Sequence, residues 1–270
     1  MSKSAAKIIA GVAKALCAVT PVRKPANTRA ELIDALEYIR VARCGDIALK
    51  ISCRSKWMVY QAREFATNEP DTRAWIDSLQ PGSVFYDIGA NIGMFSMYAA
   101  MKGLKVLAFE PHYANYAALC RNLALNGMHD RVTAYCLGIA DATRLDVLNS
   151  STSLPGTAFH GVGRAASQFG TYTPEFQQGV LAVCLDDFVA RFAAPPPDAI
   201  KLDVDGIEPQ ILAGARETLT RIRSINVEVE GENAKDRAII DPILAAGLVE
   251  TRFVPAGVQV RNRAFVRPGV

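Results

Sequence analysis

The sequence is short of the residues that mark metal proteins and nucleic-acid binders. It has three histidines, His112, His129 and His160, and six cysteines, Cys17, Cys44, Cys53, Cys120, Cys136 and Cys184. No two cysteines form a Cys-x-x-Cys pair, and no Cys/His set has zinc spacing, so no metal is expected. The net charge is only +3 over 270 residues, and the basic residues are scattered rather than gathered into a stripe with aromatics. Nucleic acid is therefore not an expected partner. No apolar run is long enough to span a bilayer. The N-terminal one is interrupted by Lys14 and lacks the clean apolar stretch of a signal peptide. Cys136 lies in the apolar run 132–137 and Cys184 in 180–185, which reads as small buried hydrophobes in a reducing cytoplasm.

What the chain does have is ordinary globular material, half of it hydrophobic and 21% charged. That is enough for one large α/β domain with a modest extension. Lys3, Lys7, Lys14, Arg23, Lys24 and Arg29 all precede the first acid, Glu31. Ile8, Val12, Leu16 and Val19 fall at helical spacing, with Lys3, Lys7 and Lys14 on another face. Residues 1–20 thus read as a basic amphipathic helix, either packed on its own domain or lying on an anionic membrane surface. Thr28 with Glu31 three residues on is a capping-box pattern and predicts a helix over 28–43. Two short runs, Ile47–Ile51 and Trp57–Tyr60, predict a small hairpin or edge strands. The expected division is an N-terminal extension over 1–70 and the main domain over 71–270.

From residue 83 the pattern becomes regular. Strands are predicted over 83–87, 105–110, 131–137, 199–204 and 224–230, with helices over 92–102, 112–126, 208–221 and 234–246. Two last strands over 249–254 and 259–266 close the chain. This alternation predicts a mostly parallel, doubly wound sheet of seven strands ending in an antiparallel hairpin. Residues 150–179, rich in Ser, Thr and Gly, show no period and read as an irregular functional loop.

Three motifs carry chemistry. Asp87-Ile88-Gly89-Ala90-Asn91-Ile92-Gly93 is a strand end, a glycine turn and a helix start. Glycines let a ligand approach the backbone closely. An acid at the head of the turn repels a pyrophosphate and suits a cationic ligand with an amino group, and S-adenosylmethionine has both a sulfonium and an α-amino group. Glu110 ends the next strand 21 residues beyond Gly89, the position from which an acid accepts ribose hydroxyls. Lys201-Leu202-Asp203-Val204-Asp205-Gly206-Ile207-Glu208 gathers three carboxylates at the end of the fourth strand. They read either as an acid cluster at the reacting centre or as a helix cap with a Lys201 ion pair.

Together with Ala108–Pro111, Asn122–Gly127 and Leu185–Phe188, these stretches resemble the FkbM family of S-adenosylmethionine-dependent methyltransferases, over about residues 81–254. The resemblance implies a Rossmann-like class I methyltransferase fold and O-methylation of a carbohydrate, glycolipid or natural-product hydroxyl. It implies S-adenosylmethionine as cofactor, held by Asp87, Gly89, Asn91, Gly93, Glu110 and Pro111, with Gly138 placed beside them. Asp205 stands where the family commonly shows Glu. Asp203, Asp205 and Glu208 are the expected catalytic acids, acting as base or orienting the acceptor hydroxyl. Glu228 and Glu230 rank behind them. His160, Arg164 and Tyr172, in the irregular loop, are the expected acceptor-binding residues, and His112 is placed near the ribose. Two competing readings are an NAD-dependent oxidoreductase, which the missing Gly-x-Gly-x-x-Gly counts against, and a non-catalytic module, which would not need the intact acids.

Overall fold

The computed structural model describes residues 3–19, 25–158, 160–163, 165–167, 170–229, 231, 233–258 and 261–269. The chain divides into two compact units, residues 1–39 and 40–270. The first holds helices Lys3–Val19 and Pro25–Ala35. Ile8, Ile9 and Val12 are exposed on the former. Among the described residues no helix is long and apolar enough to cross a membrane.

The predicted helix over 28–43 starts earlier and stops at Ala35, and Ile39–Cys44 is instead a strand. Ile39 and Val41 are β-branched and fit a pleated surface better than a helix. This strand pairs with Ile47–Ser52 in a two-stranded sheet. The second correction is Trp57–Tyr60, which lies in the helix Lys56–Glu64. A four-residue apolar run does not distinguish strand from helix. The cap decides it here: Ser55 Oγ accepts from the Met58 amide at 3.2 Å, and Met58 and Ala62, one turn apart, are buried.

The main sheet is built from β1 (Val84–Ile88), β2 (Lys105–Phe109), β3 (Val132–Tyr135), β4 (Ala199–Leu202), β5 (Ser224–Glu228), β6 (Val249–Thr251) and β7 (Asn262–Val266). Their spatial order is β6-β7-β5-β4-β1-β2-β3. The first five pair in parallel, and β7 runs antiparallel to both β5 and β6. This is the expected class I methyltransferase architecture. The order reverses between β1 and β4, where open α/β sheets leave a crevice at the strand ends.

Helices on both faces explain why β1 and β2 are buried and apolar but for Asp87 and the exposed Lys105 at the start of β2. Alternation sends Phe85, Val106 and Ala108 to a core with Trp75 and Met97, and Tyr86, Leu107 and Phe109 to a core with Phe188 and Leu202.

Residues 150–179 are less irregular than their composition predicts. Gly138–Ala140, Phe176–Cys184, Arg144–Ser150 and His160–Val162 form a second, four-stranded sheet in that order. Phe176 to Ala182 pairs antiparallel with Ser150 to Arg144. One face of this sheet is wet, so Gln177, Gln178 and Gly179 hide the strand period. Between Ser150 and His160, residues 151–158 have no regular structure. The predicted helix over 208–221 is broken into Glu208–Ala213 and Arg216–Arg221. Gly214 packs against the chain there: a Cβ on it would stand 2.5 Å from the Ala140 carbonyl.

Two cysteines depart from expectation. Cys136 is exposed and Cys184 half-buried, while Cys53 is buried.

Candidate cofactor and acceptor site

The ends of β1, β2 and β4 open onto a cavity of about 260 Å³. Its floor is the glycine turn. Gly89, Asn91 and Gly93 all have left-handed backbone, at φ 83°, 50° and 84°. Gly89 is irreplaceable on geometry, because a Cβ there would stand 1.9 Å from the Asp203 carbonyl oxygen. Gly93 serves packing and does not line the cavity; its Cβ would sit 2.2 Å from Leu119 Cδ1. The turn also differs from expectation in where its amides point. Gly89 and Ala90 both donate to the Phe109 carbonyl at 3.0 Å, and Gly93 donates to Ala90 at 2.8 Å. These amides are spent inside the loop, so the turn lacks the open cradle a pyrophosphate needs.

What the turn offers instead is negative charge. In the β1–β4 register Asp87 stands opposite Lys201. Lys201 is 2% exposed, its Nζ lies 2.7 Å from Asp203 Oδ2, and it sits over the Phe95 ring. Ser96 donates to Asp87 Oδ2, while the buried Asp87 Oδ1 has no hydrogen-bond partner among the described residues. Burial raises the Asp87 carboxyl above its ordinary range, against the pull of Lys201 and Ser96. Burial disfavours the Lys201 ammonium, but Asp203, Asp87 and Glu69 outweigh it and hold Lys201 charged. Asp203 loses to burial but gains more from Lys201, and its carboxyl stays below the usual range. Glu228 shares a carboxyl–carboxylate hydrogen bond with Asp203; burial and then that neighbouring charge push Glu228 up to about 8. One ammonium thus serves several carboxyls.

Glu110 closes the other side. Its Oε2 accepts from the Asn91 amide at 2.8 Å and its Oε1 from the His112 amide at 2.9 Å. Burial nevertheless pushes it up to about 7. The Asn115 side chain hydrogen-bonds it as well, and since a carboxylate has about four acceptor positions, about one remains open to a ligand hydroxyl.

The roof is 151–158, tied down through its backbone. Asn115 accepts from the Gly156 amide at 2.8 Å and donates to the Thr157 carbonyl at 3.1 Å, which Asn91 Nδ2 also reaches at 3.2 Å. Gln61 donates to the Gly156 carbonyl and Ser55 to the Pro155 carbonyl, at 2.8 and 2.6 Å. His160 lines the cavity between Ser150 Oγ and Thr157 Oγ1 and stacks on His112 with ring centroids 4.0 Å apart. Burial lowers both imidazoles, His112 to about 4 and His160 to about 3.

Of the other residues singled out from the sequence, Asp205, Pro111 and Gly138 line the cavity. Asp205 has left-handed backbone at φ 59°. Glu208 does not line it: buried at the start of its helix, it accepts from the Val204 and Gly206 amides at 3.3 and 3.1 Å and shapes the turn that carries Asp203 and Asp205. Tyr172 also lies off the cavity, its hydroxyl bridging the Asn149 carbonyl and the Gly161 amide. Arg164 and Glu230 lie outside the described residues. Sequence reading missed Gln61, Phe65, Asn68 and Glu69, which form a wall, and Asn115 and Thr157, which hold the roof. The first four precede the recognisable motifs; a readable signal was Glu69-Pro70 opening a helix.

The residues fit S-adenosylmethionine. The orphaned oxygen of Asp87, the carboxyl excess around Lys201 and the Gly89 contact that only hydrogen permits make a floor for a cation, and Glu110 lines the cavity just beyond the end of β2.

The chain is similar to known methyltransferases. The family model "Methyltransferase FkbM domain" matches residues 87–247. The 31-O-demethyl-FK506 methyltransferase FkbM of Streptomyces tacrolimicus is 29% identical over 220 residues, covering 73% of this chain and 82% of that one. The hexuronic acid methyltransferase AglP of Haloferax volcanii is 24% identical over 222 residues, 81% of this chain and 87% of that one. The 2-O-methyltransferase NoeI of Sinorhizobium fredii is 28% identical over 200 residues, 68% and 81% respectively.

Proposed function

Because this chain belongs to the FkbM family of S-adenosylmethionine-dependent methyltransferases, we propose that the group it methylates is a hydroxyl on a sugar, a glycolipid or a hydroxylated natural product. The relatives named for 31-O-demethyl-FK506 and for a hexuronic acid support this acceptor class. The observation that carries it is the composition of the cavity. Behind the cation-seeking floor, the remaining lining includes Gln61, Asn68, Thr157, His160 and Asp205. Amides, hydroxyls, a neutral imidazole and a carboxylate are the groups that read hydroxyls by hydrogen bonding.

When bound, S-adenosylmethionine supplies an already activated methyl group, so the protein's work is mainly alignment. In this reading Asp87 and the Gly89 turn hold the cationic end, and Glu110 takes a ribose hydroxyl. Asn91 fixes the distance between turn and roof, and Pro111 and Gly138 flank the base. Asp205 is the first choice for the group that takes the acceptor's proton, since Asp203 is bound to Lys201 and held weakly basic by it. Glu208 is a positioning residue for both. The catalytic unit reaches back to residue 40, because Gln61 and Glu69 belong to its wall.

The test is release of S-adenosylhomocysteine from the purified chain offered uronic acids, neutral sugars, hydroxylated natural products and, as a contrasting arm, transfer RNA. Methyl transfer to RNA alone, or to nitrogen rather than oxygen, would overturn the reading. We also propose a cytoplasmic protein whose residues 1–20 rest on an anionic membrane surface. Ile8, Ile9 and Val12 are 66%, 60% and 54% exposed on a helix whose charged residues are all lysines. Equal sedimentation with neutral and anionic vesicles, or with neither, would dismiss that contact.

A further inference from the structure

We propose that Glu69, which lies before the family-matched region, receives the ammonium group of S-adenosylmethionine on its Oε1 oxygen. The inference rests on the cofactor reading above and assigns a contact to a residue that no motif marks.

Three observations converge on it. Glu69 lines the cavity with Asp87, Lys201 and Asp203. Its Oε2 is fixed by two donors, Asn262 Nδ2 at 2.9 Å and Thr72 Oγ1 at 3.2 Å, while among the described residues no donor stands on Oε1. Its backbone is left-handed at φ 48°, immediately before Pro70. A residue before proline is ordinarily extended, and a non-glycine residue rarely adopts this conformation. Such strain persists only where the surroundings impose it, and it gathers at ligand sites. Here the imposed conformation presents a carboxyl to a cavity that is already rich in carboxyls.

Charge balance selects the ligand group. Lys201 is the ammonium shared by Asp87, Asp203 and Glu69. Burial pushes Glu69 up to about 7 against the pull of Lys201, with Asp203 and Asp71 adding to the rise. A second cation would relieve that cost, whereas an anion or a neutral hydroxyl would not. Of the other acids, Glu110 holds two amides and Asp203 holds Lys201; Asp87, with Oδ2 on Ser96 and Oδ1 open, shares the cationic end with Glu69.

The test compares wild type with Glu69→Gln by titration calorimetry using two probes. S-adenosylhomocysteine keeps the ammonium; methylthioadenosine lacks the whole amino-acid arm. A charge-assisted hydrogen bond predicts S-adenosylhomocysteine affinity about 10- to 100-fold weaker in the variant, with methylthioadenosine affinity unchanged. Wild type also releases protons on binding S-adenosylhomocysteine near pH 7, seen as a buffer-dependent enthalpy that shrinks in the variant. Equal loss for both probes would make Glu69 a structural residue and overturn the proposal. Unchanged affinities with loss of turnover would move Glu69 to the acceptor side and overturn it equally. If wild type bound neither probe, the cofactor reading itself would fall, which is a different result.

Discussion

Lys201 Nζ lies 2.7 Å from Asp203 Oδ2 while the same residue stands opposite Asp87 in the strand register. One buried ammonium therefore braces two strand ends at the point where the sheet order reverses. Removing one partner of a buried ion pair leaves the other charge uncompensated and typically costs about 3–5 kcal/mol. Lys201→Met should lose stability of that order in chemical denaturation. Lys201→Met combined with Asp203→Asn should recover part of it. A double variant no more stable than the single one would show that the pair does not carry this load.

Gly89→Ala should abolish cofactor binding. The added carbon would overlap the Asp203 carbonyl at 1.9 Å, so β1 and β4 must part to admit it. Gly45→Ala is the control, with left-handed backbone at φ 55° but nothing within 4 Å of an added carbon. The control should cost about 1–2 kcal/mol from its backbone alone and leave S-adenosylhomocysteine binding intact by calorimetry.

Asn115→Ala should loosen the roof. It deletes an acceptor for the Gly156 amide and a donor to the Thr157 carbonyl. The Thr157 carbonyl keeps Asn91 Nδ2, but leaving the Gly156 amide unsatisfied costs about 1–3 kcal/mol. Hydrogen exchange should rise over 151–158 more than in β1 or β2. The Michaelis constant for the acceptor should rise more than that for the cofactor.

Cofactor affinity should increase with pH between about 6 and 8. Glu69 and Glu110 are held at about 7 and Glu228 at about 8, all above their ordinary value. These raised carboxyls contribute to stability below their unfolded value, and that contribution is lost as pH rises through 7 and 8. The free protein should therefore lose stability on the alkaline side. A bound cation stabilises the ionised acids, so the complex should lose less. The difference in melting temperature with and without S-adenosylhomocysteine should widen from pH 6 to pH 8; a constant or narrowing gap would contradict the charge-deficit description of the floor.

The sequence made the sheet legible because β1, β2, β4 and β5 are buried on both faces, and their apolar runs have no other use. The glycine turn and the acids were legible because strand ends fix their positions. The strand Ile39–Cys44 and the helix Lys56–Glu64 were not, since short apolar runs fit either period, and only the Ser55 cap marks the second as a helix. Glu69 was hard to find for a different reason: Glu69-Pro70 marks a helix start, but the carboxyl is held by Asn262, 193 positions away, on a left-handed backbone that a helix start does not announce. Glu208 and Gly93 illustrate the reverse case. Both sit in recognisable motifs, yet their contacts are with the loop amides and with Leu119 rather than with the cavity.

The parallel pairing of Gly138–Ala140 with Ala182–Cys184 joins the two ends of the excursion between β3 and β4. Everything from 141 to 181 leaves and returns through one hydrogen-bonded gate. Lengthening a loop already closed in this way adds little entropic cost, about 0.6 kcal/mol per doubling. The stretch that roofs the cavity can therefore be exchanged or extended while the seven-stranded sheet keeps its register, so descendants of this chain could change acceptors without relearning how to hold the methyl donor.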